Sequence, residues 1–465
     1  MSVSGLLVRF NVGNFCSIND NQSFSLISGN LKNHEDRLYS AKDFKLLKFA
    51  SVFGANASGK SNLIKAIQYA VTILLQGTEN SFADSNRNNY FRMNPLSKNR
   101  NSYFEFEILI NDCVYAYGFE ISVFEKKIKE EWLIKLGKEE NVTIYTRNIN
   151  DGVSYFNDNY LNSDIARRMN IYLEDYSKVD YKLFLKEVVS NKAELYKNEG
   201  KLGILRDIYK WISNVNISYP DTLVTGYDTL SFDNFSDLMK ALKSFDTGIS
   251  KIISHEISKD QAFDKVSYKL RDDVDKTIKL LGRQRSESLL ENDNKVLRVN
   301  INGNLILIST NGDEIKFKEI CFEHFGVSDV KFSLGEESDG TRRLLDLLSV
   351  LFAEENSLFI IDELDHSLHP QLTLHFVKTF LRIAKIKNIQ LVITTHESRL
   401  LNLKLLRRDE IYFIERKENG ASVIVPFDRF NERFDKRIDV AYLDGRYGAV
   451  PLFDSIYPDY EDVDN

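Results

Sequence analysis

The sequence predicts an α/β fold with a parallel sheet, an antiparallel β-subdomain and a helical insertion. Three observations support this prediction. Helix and strand patterns alternate from residue 341 onward, which is typical of a parallel sheet. Residues 103–145 mostly alternate between the two faces of a strand, with short turns, which predicts an antiparallel meander. Residues from about 160 to 290 are rich in Lys, Glu and Leu and predict mostly helices.

The N-terminal elements come in the order that a phosphate-binding core requires. Two short apolar stretches, 6–12 and 23–28, predict a pair of strands. A largely apolar run over 46–53 leads into a glycine-containing loop at 54–61, and helical spacing follows over 62–71. The sequence therefore predicts strand, loop and helix at this point.

The C-terminal elements complete the predicted sheet. Helices are predicted over 344–352 and 369–386, and strands over 358–361, 390–394 and 410–414. Before them, 295–317 predicts strands joined by hairpin turns at Asn302-Gly303 and Asn311-Gly312. We predict an N-terminal half of the core over 1–155, a helical insertion over 156–290 as the candidate surface for a partner or trigger, and a C-terminal half over 291–465.

Composition limits the class of protein. The 465 residues carry 68 acidic and 61 basic side chains, a net charge of −7 that gives no general attraction to nucleic acid or an anionic membrane, although a local basic groove stays open. Cys16, Cys113 and Cys321 are far apart and predict no disulfide framework. With no secretory signal or membrane-spanning run, we expect a cytoplasmic protein that does not bind membranes.

Residues 54–61 match the phosphate-loop pattern G-x-x-x-x-G-K-S in full. In such a loop, backbone N–H groups cradle phosphates, Lys60 adds charge at the β/γ position, and the Ser61 hydroxyl binds Mg²⁺. A chance glycine-containing turn is disfavoured by the strand before it and the helix after it. The nearest string to a guanine-specific Asn-Lys-x-Asp lies in the insertion at 191–194, so the predicted nucleotide is ATP. The predicted nucleotide-binding residues here are Gly54, Asn56, Ala57, Ser58, Gly59, Lys60, Ser61 and Asn62.

An acidic pair follows the apolar strand at 358–361. Asp362, at the strand end, is predicted to orient Mg²⁺, and Glu363 to polarise the attacking water. The alternative, a strand that ends in a solvated acidic turn, is disfavoured by the presence of the phosphate loop.

A second anion-binding loop is predicted at Ser338, Asp339, Gly340 and Thr341, immediately before a helix. One chain cannot easily bring two such loops to one γ-phosphate, whereas two chains facing head to tail can. We therefore predict a homodimer, or a higher homo-oligomer, built through two shared ATP sites. The alternative for this string alone is an ordinary helix N-cap.

Two histidines are candidates for the same site. His396 follows the strand at 390–394 and is predicted to bond the γ-phosphate, although a histidine at a strand end is usually structural. His366, His369 and His375 with Asp365 could form a zinc cluster, which we disfavour because no cysteine accompanies them. His369 is predicted instead to contact the nucleotide at the protomer interface.

These strings together resemble ABC-type ATPases of the SMC/RecF/OLD-like branch, and among them the AAA family ATPases of bacterial phage-defence and abortive-infection loci. The resemblance implies that 54–61 is Walker A, Asp362 and Glu363 are Walker B and the catalytic glutamate, and 338–341 is the signature loop. It further implies a D-loop at 367–370 and a switch histidine at His396. The resemblance covers most of the chain.

The chain departs from this family pattern in several places. Asp339 stands where a glycine is usual, and Cys16 where an arginine is common. A Q-loop glutamine is missing from the stretch near Asn94-Pro95, where we place that loop. A long coiled coil and a C-terminal TOPRIM nuclease segment are also missing, so no effector domain is visible in the sequence.

The sequence is compatible with three functions. The first is a defence ATPase that responds to a phage-encoded trigger and holds or releases a separate effector, such as a nuclease. The second is a DNA-repair or chromosome-type ATPase that binds DNA directly, for which Arg407, Arg408 and Arg446 are local candidates unless they pair with Asp409 and Asp444. The third is an interaction protein with a decayed site, which the presence of Lys60, Asp362, Glu363 and His396 disfavours.

Overall fold

The computed structural model describes residues 5–79, 86–157, 163–190, 200–220, 235–264, 271–272, 296–301, 303–311, 314–326, 330–430, 438–443 and 447. The chain forms two compact units. The first contains 1–219, 354–365 and 377–465, and the second contains 220–353 and 366–376. The predictions at 191–194, Asp444 and Arg446 lie outside the described residues.

The strands, in chain order, are β1 (Gly5–Gly13), β2 (Gln22–Ser25), β3 (Tyr39–Ser40), β4 (Lys45–Leu46), β5 (Phe49–Phe53), β6 (Ser102–Ile110), β7 (Cys113–Ser122), β8 (Lys127–Leu136), β9 (Val142–Asn148), β10 (Val153–Phe156), β11 (Asn216–Ser218), β12 (Ile249–Ile257), β13 (Val296–Ile301), β14 (Asn304–Asn311), β15 (Glu314–His324), β16 (Phe332–Ser333), β17 (Leu358–Ile361), β18 (Gln390–Thr394), β19 (Ile411–Arg416) and β20 (Ser422–Pro426). The α-helices are α1 (Lys60–Gln76), α2 (Ser163–Asp175), α3 (Phe184–Val189), α4 (Gly203–Ser213), α5 (Phe235–Ser244), α6 (Lys259–Ala262), α7 (Asp339–Phe352), α8 (Pro370–Ile383) and α9 (Ile438–Leu443). Among these described elements, no helix has the length and apolar character needed to cross a membrane.

A mainly parallel sheet forms the centre of the first unit. Its strand order is β11-β17-β18-β5-β19-β20, and every neighbouring pair is parallel except β19 and β20. All five residues of β5 are buried, as expected for a strand covered on both faces. The carboxyl ends of β5, β17 and β18 therefore meet at one edge. The predicted α/β fold class is confirmed.

The antiparallel β-subdomain is a seven-stranded sheet in the order β10-β9-β8-β7-β6-β1-β2. It contains the meander predicted from the alternation over 103–145. Side chains from this sheet, α1 and the parallel sheet share one large apolar cluster, which includes Phe10, Val52, Ile67 and Phe104. The buried Gln390 side chain also bonds the backbone of Leu7 in β1, accepting from its N–H at 2.6 Å and donating to its carbonyl at 2.9 Å.

The second unit is built on a smaller antiparallel sheet. Its order is β12-β15-β14-β13, and β16 also pairs with β15. The β13–β14 and β14–β15 pairs are antiparallel, as the predicted hairpins require. Helix α7 begins after this sheet.

The region predicted as a helical insertion, 156–290, is mixed. It contains helices α2 to α6, but also β11, which joins the parallel sheet beside β17, and β12, which pairs with β15. Residues up to 219 belong to the first unit, so the boundary between units falls after Tyr219 rather than at 155. A three-residue strand is too short to produce a period-two signal, and its pairing with β17 is decided by tertiary contacts.

Candidate functional site

The phosphate-loop pattern forms a tight turn between β5 and α1. The backbone takes positive φ at Ala57 (62°) and Gly59 (108°), and α1 begins at Lys60. A Cβ atom at Gly59 would lie 2.2 Å from Ser422 Oγ and 2.6 Å from Ser17 Oγ. Both the left-handed conformation and the close neighbours require glycine at this position.

Lys60 is the buried cation of the loop. Its Nζ donates to the carbonyls of Gly54 (2.7 Å) and Ala55 (3.0 Å). Burial lowers the pKa of Lys60 to about 8, and the negative charges of Glu363 and Asp362 oppose that shift. The ammonium group is therefore held close to the loop and to the acidic pair, where an anionic ligand would restore its usual pKa.

A hydroxyl chain supports the loop from behind. Asn62 Nδ2 donates to Ser17 Oγ at 2.7 Å, Ser17 Oγ lies 2.7 Å from Ser422 Oγ, and Ser422 Oγ donates to the carbonyl of Ser58 at 2.5 Å. The Ser58 hydroxyl is buried and has no hydrogen-bond partner among the described residues. Sequence reasoning did not connect Ser17 and Ser422 with the loop because both are distant from it in sequence and lie outside the phosphate-loop pattern.

The acidic pair lies at the end of β17, where Thr394 of the neighbouring strand holds it. Asp362 is buried, and Thr394 Oγ1 donates to its Oδ1 at 2.6 Å. The same hydroxyl accepts from the N–H of Glu363 at 2.8 Å, and the Asp362 N–H donates to the Ser218 carbonyl at 2.8 Å. Glu363 has a φ of 47°, and its side chain is half-buried. The two carboxylates are thus fixed through their backbone by both neighbouring strands.

His396 follows β18, close to this pair. Its backbone N–H donates to Asp365 Oδ1 at 3.1 Å, and Thr395 Oγ1 donates to the same oxygen at 2.7 Å. The ring reaches solvent, but desolvation on its protein-facing side and the charge of Lys60 lower its pKa, so the imidazole is neutral at pH 7. The sequence offered Asp365 only for a disfavoured zinc cluster, and its hydrogen bonds to Thr395 and His396 were not predicted.

Tyr219 is a further residue at this edge that sequence reasoning missed. It follows β11, and its hydroxyl donates to Gln68 Oε1 of α1 at 2.9 Å. Burial first, and the charge of Asp362 second, raise its pKa. The predicted Q-loop stretch forms a different structure, in which the Asn94 side chain accepts from the N–H of Leu96 at 3.0 Å and caps a short 3₁₀ helix.

The donors at the strand ends are suited to a hard cation. Ser61 lies in the first turn of α1, and Asp362 and Glu363 lie at the end of β17. These side chains offer only oxygen atoms, which are the ligands that Mg²⁺ prefers. The buried, unpartnered Ser58 hydroxyl and the inward Lys60 ammonium are also consistent with a phosphate ligand in the loop.

The remaining predicted residues lie in the second unit. Ser338 caps α7, since its Oγ accepts from the N–H of Thr341 at 3.1 Å and lies 2.9 Å from the Thr341 hydroxyl. Asp339 is exposed and pairs with Arg342, and a Cβ at Gly340 would lie 2.9 Å from the Ser367 carbonyl. The exposed His369 ring accepts from the N–H of Gln371 at 3.2 Å. The helix-cap alternative is therefore realised here, while Ser338 and Asp339 stay open to solvent.

The first unit thus brings Lys60, Asp362, Glu363 and His396 into one electrostatically coupled group, as their mutual effects on pKa require. A family model described as "AAA domain, putative AbiEii toxin, Type IV TA system" matches residues 49–402, about three quarters of the chain. The chain belongs to this AAA-domain family. It is therefore an ATPase-family protein, in agreement with the coarser part of the resemblance seen in the sequence.

Solved structures of SMC heads are also similar to this AAA-family chain, and no curated protein matches it. They include an SMC head domain from Thermotoga maritima, with a TM-score of 0.35, 13% identity, and 90% of this chain and 98% of that chain covered. An SmcHead bound to the C-winged helix domain of ScpA has a TM-score of 0.37, 13% identity, and 90% and 97% covered. An Smc head domain with an extended coiled coil, bound to the C-terminal domain of ScpA derived from Pyrococcus furiosus, has a TM-score of 0.36, 14% identity, and 90% and 96% covered.

Proposed function

We propose that this protein binds and hydrolyses ATP, closes as a homodimer around two shared ATP molecules, and through that cycle controls a separate effector protein in anti-phage defence. The observation that carries the proposal is the convergence of Lys60, Asp362, Glu363 and His396 at one sheet edge. Their residue types match the needs of phosphoryl transfer, in which positioning and charge neutralisation dominate.

Each side chain has a role in this proposal. Lys60 exchanges its two loop carbonyls for the phosphate oxygens and neutralises their charge. Ser61 and Asp362 would hold Mg²⁺, which would supply charge neutralisation for the phosphates. Glu363 orients and polarises the water that attacks the γ-phosphate, and the neutral His396 ring donates a hydrogen bond to that phosphate.

The second copy completes the site in this proposal. Ser338 and Asp339 are exposed at the N-terminus of α7, and together with Gly340 and Thr341 they would contact the γ-phosphate held by a partner chain. The exposed His369 would join the same interface. ATP would then favour the closed dimer because it contacts both chains, and hydrolysis would reopen it.

The effector role rests on the family and on the chain itself. The description of the matching family names a putative AbiEii toxin and a type IV toxin–antitoxin system, which supports a role beside a second protein. We propose a nuclease as the effector, a phage-encoded molecule as the trigger, and residues within 156–290 as the surface that receives one of them.

Direct DNA binding, the alternative function, loses one of its candidate contacts. The Arg407 side chain is fully buried, donates to both carboxylate oxygens of Asp409 at 2.9 and 2.7 Å, and also bonds the carbonyl of Leu31 at 3.1 Å. Such a group is structural and does not reach a phosphate backbone. A titration with duplex DNA at two salt concentrations tests what remains of this alternative.

The hydrolysis proposal is tested with Glu363→Gln. We expect this variant to retain ATP binding and to lose at least about 100-fold in hydrolysis rate, since the amide cannot act as a base. Glu418→Gln, which changes an exposed glutamate on the β19–β20 turn, is the matched control and should hydrolyse like the wild type. Equal rates in Glu363→Gln and the wild type would exclude the assigned role.

Dimerisation and effector control need separate measurements. The solution mass of Glu363→Gln should double when MgATP is added, because the trapped nucleotide holds two chains together. Co-purification with the products of neighbouring genes, from wild type and from Glu363→Gln, tests the effector. A chain that dimerises and hydrolyses ATP but retains no partner in either state would refute the effector role and leave the ATPase intact.

A further inference from the structure

A trio of metal-ligand side chains lies in the second unit. His255 belongs to β12, and Glu319 and Cys321 belong to β15. Each can offer one ligand atom such that all three atoms lie within 4.8 Å of one another, and no other such group of three or more His, Cys, Asp and Glu occurs in the described part of the chain. None of the three belongs to the predicted nucleotide-binding set.

The strand register places the three side chains on one face. His255 pairs directly with Glu319 in the antiparallel β12–β15 ladder, and Cys321 lies two residues further along β15. Direct partners and residues at i and i+2 share a face of a sheet. The His255 Nε2 atom lies 3.2 Å from Glu319 Oε2. Sites built on strands hold their geometry better than sites on loops, so this grouping is preorganised.

These three side chains could also be an ordinary ion pair between His255 and Glu319 that lies beside a buried cysteine. One observation disfavours a simple ion pair. His255 Nδ1 is buried and has no hydrogen-bond partner within the described residues, so the pair with Glu319 leaves one ring nitrogen without a hydrogen bond. An unsatisfied buried polar atom often marks an ion or water that binds there. The His255 and Glu319 side chains are 36% and 19% exposed, so an ion from solvent can reach them while Cys321 lies beneath.

We propose that His255, Glu319 and Cys321 bind a thiophilic divalent cation of the Zn²⁺ class. The mixed nitrogen, oxygen and sulfur donor set suits Zn²⁺, whereas Mg²⁺ disfavours sulfur. Tetrahedral zinc sites have ligands about 2.0–2.3 Å from the ion and hence about 3.3–3.7 Å from one another, and the three ligand atoms here already lie within 4.8 Å of one another. Binding forms a metal–sulfur bond, releases the thiol proton to solvent, and leaves the fourth position to water.

Such an ion would brace the sheet that leads to α7. Cys321 pairs with Ser333 of β16, and the predicted anion-binding loop begins at Ser338, five residues later. A cation that ties β12 to β15 would therefore stabilise the segment before this loop. Binding to the folded state alone raises the thermal midpoint, so Zn²⁺ should raise the Tm of the wild type.

The test uses Co²⁺ as a spectroscopic probe of the full-length, nucleotide-free protein. We expect stoichiometric Co²⁺ binding with a thiolate-to-metal charge-transfer band that Zn²⁺ abolishes by displacement. Cys321→Ser should remove the band, and Cys113→Ser, which changes a half-buried cysteine in the other antiparallel sheet, should retain it. A wild type without the band, or a band that persists in Cys321→Ser, would overturn the proposal.

A second variant covers the case in which Cys321→Ser fails to fold. His255→Gln keeps the thiol and replaces a ligand at the partly exposed end of the trio. We expect it to retain the far-ultraviolet circular dichroism of the wild type and to bind Co²⁺ at least about tenfold more weakly. Unchanged Co²⁺ affinity in this folded variant would also overturn the proposal.

Discussion

Two of the buried cations in the first unit, Arg147 and Lys60, are held in opposite ways. Arg147, on β9, is completely buried and donates to Glu131 at 2.9 Å, and Glu131 in turn accepts from two tyrosines and two backbone N–H groups. The Arg147 guanidinium also donates to the carbonyls of Tyr176, Val179 and Lys182, at 2.9, 2.6 and 3.1 Å. Lys60 is buried as well, yet among the described residues it donates hydrogen bonds only to two carbonyls of its own loop.

We propose that this difference separates a structural charge from a functional one. The chain supplies Arg147 with its counter-charge at ion-pair distance, so the pair is complete without a ligand. Lys60 feels Glu363 and Asp362 only as longer-range charges, and burial still lowers its pKa to about 8. A buried cation whose pKa is lowered in this way gains from an incoming anion.

The largest expected effect is on stability at Arg147. Arg147→Met should lower the free energy of unfolding by about 3–5 kcal/mol, because Glu131 would remain buried without its cation. Chemical denaturation measures it. Lys60→Met is the matched control and should change stability by less than about 1 kcal/mol, since the hydrogen bonds of Lys60 go to two carbonyls of its own loop and relief from its burial offsets the lost attraction of Glu363 and Asp362. Equal losses in the two variants would remove the distinction between the two cations.

The next effect is on nucleotide affinity at Lys60. Lys60→Met should weaken ATP binding by at least about 100-fold, or about 2.7 kcal/mol, since the phosphates lose a charged donor in a buried loop. A titration with a fluorescent ATP analogue measures it. Arg147→Lys, if it remains folded, should bind ATP like the wild type. An unaltered affinity in Lys60→Met would contradict the assignment of the loop.

A smaller effect is expected at the hydroxyl that holds the acidic pair. Thr394→Val should cost about 1–3 kcal/mol of unfolding free energy, because buried Asp362 loses a donor and the Glu363 N–H loses its acceptor. Thr373→Val is the control, since the buried Thr373 hydroxyl has no partner among the described residues and its loss should be neutral or stabilising. If both variants unfold alike, the hydroxyl of Thr394 does not hold the site.

The pH dependence of ATP binding gives the smallest effect. In the free protein the pKa of Lys60 is lowered to about 8, and bound phosphate would raise it. The affinity for ATP should therefore be highest below pH 8. It should fall as the pH rises from 8 toward the pKa of Lys60 in the ATP complex, by at most about tenfold per pH unit. Isothermal titration calorimetry from pH 7 to 9.5 tests this. Lys60→Arg, whose charge persists, should show no such fall.

Sequence patterns predicted β5, β17, β18 and β19 of the parallel sheet because these strands are mainly apolar runs. The strands Leu358–Ile361 and Gln390–Thr394 lie where they were expected, and the helix after the phosphate loop is longer than predicted, from Lys60 to Gln76. Residues at a fixed spacing from the phosphate loop or from a strand end could therefore be predicted from the sequence.

The rest could not be predicted because it depends on contacts between distant segments. Ser17 and Ser422 are 405 positions apart and meet only behind the folded loop. Tyr219 carries no motif, the hydrogen bonds of Asp365 depend on the neighbouring strand, and β11 is too short for its period to be detected. The His255, Glu319 and Cys321 trio depends on strand register, which the sequence does not specify for two strands this far apart.

The most direct test of the shared ATP site is complementation between two inactive variants. Lys60→Ala and Ser338→Arg should each abolish ATP hydrolysis. Mixed after dissociation, they should recover about a quarter of wild-type activity, because half of the dimers are mixed and each mixed dimer has one intact site of two. A mixture as inactive as its components, although mixed dimers form, would contradict a site built from both chains, as would full activity of Ser338→Arg alone.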